Sequence, residues 1–399
     1  MRRVVITGAG TVNPLAHDVA GTYAALQEGR SAIRALDFRD VDRLSTRIGA
    51  QIKLWQPQQH FSARALAVLD PFAQYALYAA TEAIAQSGLT FADGLAEDAG
   101  VILGSAGGGL QTSDDNYRAV YQDGKNRVHP LVVPRLMHNA ASSQIAMHFH
   151  LLGPNYTVST ACASSNHAIG QAFHLIRSGA ARVMVTGGAD AMLCFGGVKA
   201  WEGLRVLSQT GCRPFSKGRD GMVMGEGAAV FVLEDRDHAR ARGADILAEV
   251  LGFGMTADAG DIVQPSVDGA ARAMRLALQD AGLAPSDIGY IKAHGTATTA
   301  NDRAECAAIT RVFGPNAPPI SSSKSMHGHL IGAAGAVELL TCLLALRDGI
   351  LAPTIGFDGA DPDCPLDVVP NVARQKRVKA VLSNAFAFGG LNAVLALGA

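Results

Sequence analysis

Residues 157–185, TVSTACASSNHAIGQAFHLIRSGAARVMV, read as a strand, a loop of small residues and a helix that closes at Gly179. Residues 320–353, ISSSKSMHGHLIGAAGAVELLTCLLALRDGILAP, follow the same grammar, with the helix closing at Gly349. Both helices are apolar around most of their circumference, which predicts burial between sheets rather than a water-facing side.

A second pair of segments agrees with the first. The helical pattern ATEAIAQSGL (80–89) leads through a connection to the strand GVILGS (100–105) and the glycine run AGGG (106–109). MRLALQDAGL (274–283) leads through a shorter connection to IGYIKAHG (288–295). The 44 glycines fall largely where strands end and helices begin, as in α/β proteins. The chain therefore reads as two similar α/β halves, 1–240 and 241–399, divided near the charged stretch LEDRDHARARGAD. Chance likeness between α/β units is the alternative, and the paired order of features favours duplication. A length of 399 residues also suits two core units.

Composition narrows the function classes. Hydrophobic residues make up 48% and charged residues 17%, with a mean hydropathy of +0.16, as expected of a large interior and much area buried between subunits. A net charge of −1 supplies no global field for nucleic acid or an anionic membrane, so an acidic partner must meet a local basic patch. The opening MRRVVITGAG is too short an apolar run for a signal-peptide core, and no apolar run reaches about 18 residues. A cytoplasmic protein is expected. The six cysteines are scattered with no CxxC pair, which argues against a disulfide framework or a structural zinc site. VVITGAGTVNP begins like a dinucleotide fingerprint, but Asn13 stands in place of the third glycine and no acidic residue follows at the expected offset. GMVMGEGAAVFVLE reads as a tight turn before a buried strand.

Cys162 sits after the strand-like YTV and at the opening of an apolar helix. A thiol there feels the positive end of the helix dipole, which favours thiolate, and its small neighbours permit close approach of a substrate. Alone, a buried cysteine in a tight turn is the plainer explanation. Its companions change the balance. His294 in KAHGTATTAND follows a strand, and Lys324 and His329 in SSSKSMHGHLIGAAG stand at the entrance of the next helix. A cysteine followed far downstream by loop histidines suits nucleophilic catalysis. His327 and His329 also form an HxH pair, but no Asp or Glu lies in that loop, which disfavours metal.

The blocks TACAS, RPFSKGRDGMVMGEGAAVFVLE, AHGTATTAND, KSMHGHLIGAAGAVE and SNAFAFGGLNAVL, in this order, resemble elongating β-ketoacyl-acyl-carrier-protein synthases of the synthase I/II type. Details such as SSNHAIG and DAGDIVQPS are most similar to nodulation-type and other specialised branches near synthase II. The resemblance implies the thiolase-like α/β fold, two duplicated halves in a layered α-β-α-β-α core. It implies that Cys162 carries the acyl chain, and that His294 and His329 bind the malonyl thioester carbonyl. Lys324 would orient the site, and Glu305 would be a buried carboxylate behind the AHGT loop. Amides of Cys162 and Phe388 would form the oxyanion hole, with Phe388 gating entry and Thr296 and Thr298 holding the pantetheine arm. No metal or nucleotide cofactor is needed, because decarboxylation generates the carbanion without a strong base.

The partners implied are acyl carrier protein and a second copy of the chain, or a chain-length factor in a heterodimer making a polyene or polyketide. Arg64, Lys125 and Arg127 match a basic patch for the acidic carrier. Gly107 falls where synthase II has a bulky aliphatic side chain, so a longer acyl pocket is expected. Ser165, Ala297, Ala387, Leu391, Asp261 and Val263 also depart from the common pattern. Ala387 would stiffen the gate if its φ had to be positive, and Asp261 and Val263 would alter substrate choice. A thiolase would carry a second cysteine in SNAFAFGG, a type III synthase would have Asn in place of His329, and a chain-length factor would lack Cys162.

Overall fold

The structure is a computed structural model that describes residues 1–92 and 94–399. The first half contributes β1 (Val4–Val12), α1 (Pro71–Ser87), β2 (Ala99–Gly104), α2 (Ala140–Phe149), β3 (Asn155–Val158), α3 (Ser164–Ser178), β4 (Val183–Asp190), α4 (Phe195–Gly203) and β5 (Gly227–Asp235). The second contributes β6 (Ala248–Ala257), α5 (Val267–Ala281), β7 (Ile288–Lys292), α6 (Thr299–Phe313), β8 (Ile320–Ser321), α7 (Ala334–Asp348), β9 (Ala380–Ala387) and β10 (Leu391–Gly398).

The strands form one ten-stranded ladder in the order β8-β7-β9-β10-β6-β1-β5-β4-β2-β3. Its two five-strand units have the same topology. In the first, β1–β5 and β5–β4 are antiparallel, and β4–β2 and β2–β3 are parallel. In the second, β6–β10 and β10–β9 are antiparallel, and β9–β7 and β7–β8 are parallel. The units join through a short antiparallel pairing in which Val4, Val5 and Ile6 face Val250, Glu249 and Ala248.

Layering follows from where each helix hides its apolar surface. α1 and α2 cover the outer face of the first unit, and α5 covers the second with α6 packed on it. Between the units lie α3 and α7, which touch each other and strands of both. Every residue of α7 from Ala334 to Leu346 is buried, as its all-round apolar pattern predicts. The thiolase-like α-β-α-β-α arrangement read from the sequence is thus the observed one.

Two small-residue motifs set the close packing. A Cβ on Gly8 or Gly10 would lie 2.0 Å from the carbonyl oxygen of Ala83 or Ala79, so the ITGAG glycines let α1 press against β1. Their purpose is packing, in keeping with the rejected dinucleotide reading. At the centre, a Cβ on Gly335 would meet Asn166 Oδ1 at 2.2 Å, so α7 approaches α3 directly. Asn166 Nδ2 in turn donates to the carbonyls of Ser383 and Ala393, fixing α3 to the second unit's strands.

The departure at Ser165 has a structural consequence. The residue before α7, Ala333, provides no side-chain cap. Ser165 of α3 supplies one from the other half, its Oγ accepting from the amide of Ala336 at 3.0 Å in a fully buried setting. Ser165→Ala should therefore lower unfolding stability by about 1–2 kcal/mol, since a buried amide loses its acceptor. A shift of the urea midpoint at constant slope would confirm this, and an unchanged midpoint would reject the cap.

Candidate active site

Three loops at the ends of the parallel strands converge on one cavity. Cys162 lies between β3 and α3, His294 two residues beyond β7, and His329 beyond a short Lys324–His327 turn that follows β8. The donor atoms of Cys162, His294 and His329 all lie within 4.8 Å of one another. The two imidazoles meet edge to face, with centroids 5.4 Å apart. Cys162, His294, His329, Thr296, Thr298 and Phe388 line the same cavity.

The tautomers follow from the hydrogen bonds. His329 Nδ1 accepts from the amide of Ile331 at 3.1 Å, so a neutral ring carries its proton on Nε2. That Nε2 is buried and has no partner among the described residues. His294 Nδ1 faces Lys324 Nζ at 3.4 Å, which likewise leaves the proton on Nε2. Burial, then the positive charge of Lys324, hold both rings well below the ordinary histidine range. The site therefore offers two neutral N–H donors.

Each ring is held from behind. Glu305 accepts from the amides of His294 and Gly295 at 2.7 and 2.8 Å, and is the buried carboxylate anticipated behind that loop. Lys324 Nζ donates to the carbonyl of His294 at 2.5 Å and to Glu338, which also pairs with Lys292. His329 is gripped by the first half: its amide donates to Val223 O at 2.6 Å, and Gly225 N donates to its carbonyl at 2.8 Å. The GMVMGEG stretch is therefore more than a turn before a strand.

Burial opposes the thiolate expected for Cys162. Burial pushes this thiol up to about 12, with Lys324 pulling down and Asp190 pushing further up. Burial therefore works against the thiolate expected at the helix end. Asp190 itself ties the halves together. It accepts from Ser105 Oγ and the amides of Ala106, Gly107 and Gly332, and burial raises it to about 6.

Metal is a poor occupant on chemical grounds. One thiol and two imidazoles have suitable spacing, but no carboxylate joins them, and Lys324 Nζ sits against His294 on the far side. A dication would add to the positive charge of Lys324, whose carboxylate partner Glu338 is shared with Lys292.

At the mouth, Phe388 stacks on Trp201 of α4 with centroids 5.9 Å apart. Its hairpin is held by the 258–266 loop, through Gly389 N to Ile262 O and Asp258 N to Gly390 O, each 2.8 Å. Thr296 and Thr298 share a 2.8 Å hydroxyl hydrogen bond on the cavity wall.

Several expectations need correction. Gly107 does not line the cavity. The space its missing side chain leaves is filled by Met192, whose Sδ would lie 2.9 Å from an added Cβ. Ala387 ends β9 opposite Leu391 in ordinary extended pairing, and the positive φ values fall on Gly389 and Gly390, so alanine does not stiffen the gate. Asp261 turns onto its own loop, accepting from the amides of Val263 and Gln264, while Val263 lines the cavity. Apart from these corrections, Arg64, Lys125 and Arg127 of the expected carrier patch are exposed, and Lys125 faces Asp123 at 3.9 Å. Trp201, Asp258, Asn301 and Asn392 line the cavity without having been singled out, and Arg205 is exposed beside the lining residue Val206.

Known proteins resemble this chain along nearly its whole length. The chain is 47% identical over 397 residues to Nodulation protein E of Rhizobium sp. (strain N33), covering 99% of this chain and 98% of that one. It is 39% identical over 403 residues to 3-oxoacyl-[acyl-carrier-protein] synthase 2 of Staphylococcus aureus (strain N315), covering 99% and 97%. The solved structure of the ishigamide ketosynthase/chain length factor superposes with a TM-score of 0.96 at 38% identity, covering 100% and 99%. Residues 1–239 match the β-ketoacyl synthase N-terminal domain and residues 247–358 its C-terminal domain, and the chain thus belongs to the β-ketoacyl synthase family.

Proposed function

We propose that this chain elongates acyl chains by decarboxylative Claisen condensation, taking both the acyl group and malonyl from acyl carrier protein in the cytoplasm. The observation that carries this reading is one buried thiol facing two imidazole N–H donors within 4.8 Å. Among the described residues no helix is long and apolar enough to cross a membrane.

The first step is thioester exchange. Cys162 Sγ attacks the acyl carbonyl, the bond to the carrier sulfur breaks, and the Cys162 proton ends on the departing thiol. Malonyl thioester then enters with its carbonyl oxygen between His294 and His329 Nε2–H. The carbon–carboxylate bond breaks, carbon dioxide leaves, and the enolate oxygen is held by those two donors. The enolate carbon attacks the acyl carbonyl on Cys162, whose oxyanion is met by the amides of Cys162 and Phe388. Collapse releases the ketoacyl thioester and a Cys162 thiolate that takes up one proton. Lys324 positions His294, Thr296 and Thr298 bind the pantetheine arm, and Phe388 gates it. Arg64, Lys125 and Arg127 remain a candidate carrier patch. The two halves act as functional units, 1–240 supplying the nucleophile and 241–399 the donors.

We further propose that the working form is a dimer of this chain. Exposed apolar side chains gather between Tyr117 and Tyr156, including Tyr121, Val133, Met147 and Leu152. β3 ends the ladder with an open edge, and a two-fold axis lets such an edge pair with its own copy. The likeness to a ketosynthase/chain length factor structure favours a second reading, a heterodimer, in which the chain alone would be inactive. Sedimentation of the parent should give a two-chain mass, and Leu152→Asp with Tyr156→Asp should give one chain. A monomeric parent would refute the homodimer.

Two results test the chemistry. Cys162→Ala should abolish acyl-enzyme formation yet keep some malonyl-carrier decarboxylation, whereas His329→Ala should impair decarboxylation at least tenfold more than acylation. Acyl-enzyme mass spectrometry and carbon dioxide release separate these outcomes, and equal losses in both assays would reject the division of labour. Because the thiol is raised, alkylation of Cys162 by iodoacetamide should accelerate about tenfold per pH unit from pH 7 to 9. A plateau near pH 7 would reveal a resting thiolate.

A further inference from the structure

Lys292 is fully buried, and the reaction steps above do not use it. It ends β7, two residues before His294. Its Nζ donates to Glu338 and, at 2.8 Å, to the carbonyl of Asn384 on β9. These two acceptors lead to His294 by separate routes. Through Glu338 the contact reaches Lys324, which holds the carbonyl and Nδ1 of His294. Through Asn384 it reaches Glu305, since Asn384 Nδ2 donates to Glu305 Oε1 at 3.1 Å, and Glu305 holds the amides of His294 and Gly295.

Charge adds to geometry. One carboxylate, Glu338, faces two lysines with no water access, so it cannot neutralise both. The surplus lies behind His294, opposite the place where enolate charge develops. We propose that Lys292 is a positioning residue for condensation, clamping His294 through Glu338–Lys324 and Asn384–Glu305 and leaving net positive charge behind the enolate site.

Burial lowers Lys292 itself, and Glu338 opposes that shift. Burial, then Lys324, His329 and Lys292, hold His294 low. Burial would raise Glu338, but Lys292 and Lys324 outweigh it and keep it ionised. The titratable groups around His294 are Cys162, His329, Lys324 and Glu305. Those around Lys292 are Glu338, Lys324 and Cys342.

This inference rests on the proposed condensation, so parent and variant go through the same assays. In Lys292→Met, malonyl-carrier decarboxylation should fall about tenfold while acylation of Cys162 stays within about threefold. The acidic limb of the decarboxylation pH profile should move up by about one unit, because a charge opposing His294 protonation has gone. Lys292→Gln, which keeps a donor for Asn384, should show the same limb shift with a smaller rate loss. Equal losses in both partial reactions, an unmoved limb, or failure of both variants to fold would assign Lys292 a purely structural role and overturn the proposal. A parent that does not decarboxylate malonyl-carrier would overturn the reaction itself, a separately visible failure.

Discussion

Glu338 sits in the second turn of α7, within its fully buried stretch, and its burial as a carboxylate is the constraint on which the second half of the site depends. An isolated buried carboxylate costs several kcal/mol, and only close opposite charges offset it. Lys292 comes from the end of β7 and Lys324 from the turn after β8, so satisfying Glu338 fixes helix, strand and turn in one register. The alternative, leaving two lysines buried without their carboxylate, is worse than any local slip. His294 inherits that rigidity because its carbonyl and Nδ1 are both addressed by the shared lysine.

The loops that carry the chemistry store strain of a related kind. Ala161, Ala297 and Ile331 all have positive φ, at 47°, 67° and 52°. For a β-branched residue such as Ile331 this costs on the order of 1–3 kcal/mol. The return is specific: its amide is turned onto His329 Nδ1 and fixes the tautomer. Ala161 makes the sharp turn that brings Cys162 to the mouth of α3. Glycine does the matching work across the halves, since a Cβ on Gly225 would lie 2.5 Å from His327 O and would push the 222–226 loop off His329. Neither half could build the site alone.

What the sequence disclosed depended on whether the cause was local. The paired helices closing at Gly179 and Gly349 revealed the duplication because apolar circumference and glycine stops are local properties. Cys162, His294, Lys324 and His329 were legible because each follows a strand in a loop of small residues. Glu338 and Lys292 were not. A carboxylate in a helix and a lysine at a strand end look like surface positions, and only tertiary packing pairs them. Met192 over Gly107 is the same lesson in apolar form, since a missing side chain opens space only if nothing else enters it. Burial works against the thiolate reading, because a helix dipole can be inferred from chain order, whereas the depth of burial cannot.

The protonation states at rest explain how one cavity serves two steps of opposite demand. His329 has its Nδ1 lone pair committed to Ile331 and a proton on Nε2, so it has no free base site toward Cys162. His294 is arranged alike through Lys324. A strong base is not wanted in the first step, because thioester exchange neither consumes nor releases a proton: the one leaving Cys162 is recovered on the carrier thiol. In the proposed second step the same two Nε2–H groups would face growing negative charge on the malonyl carbonyl, with the two lysines around Glu338 behind His294. Cys162 is already acylated when malonyl enters in the proposed sequence, so no thiolate competes for those donors, and the order of the two steps itself keeps them free for the enolate.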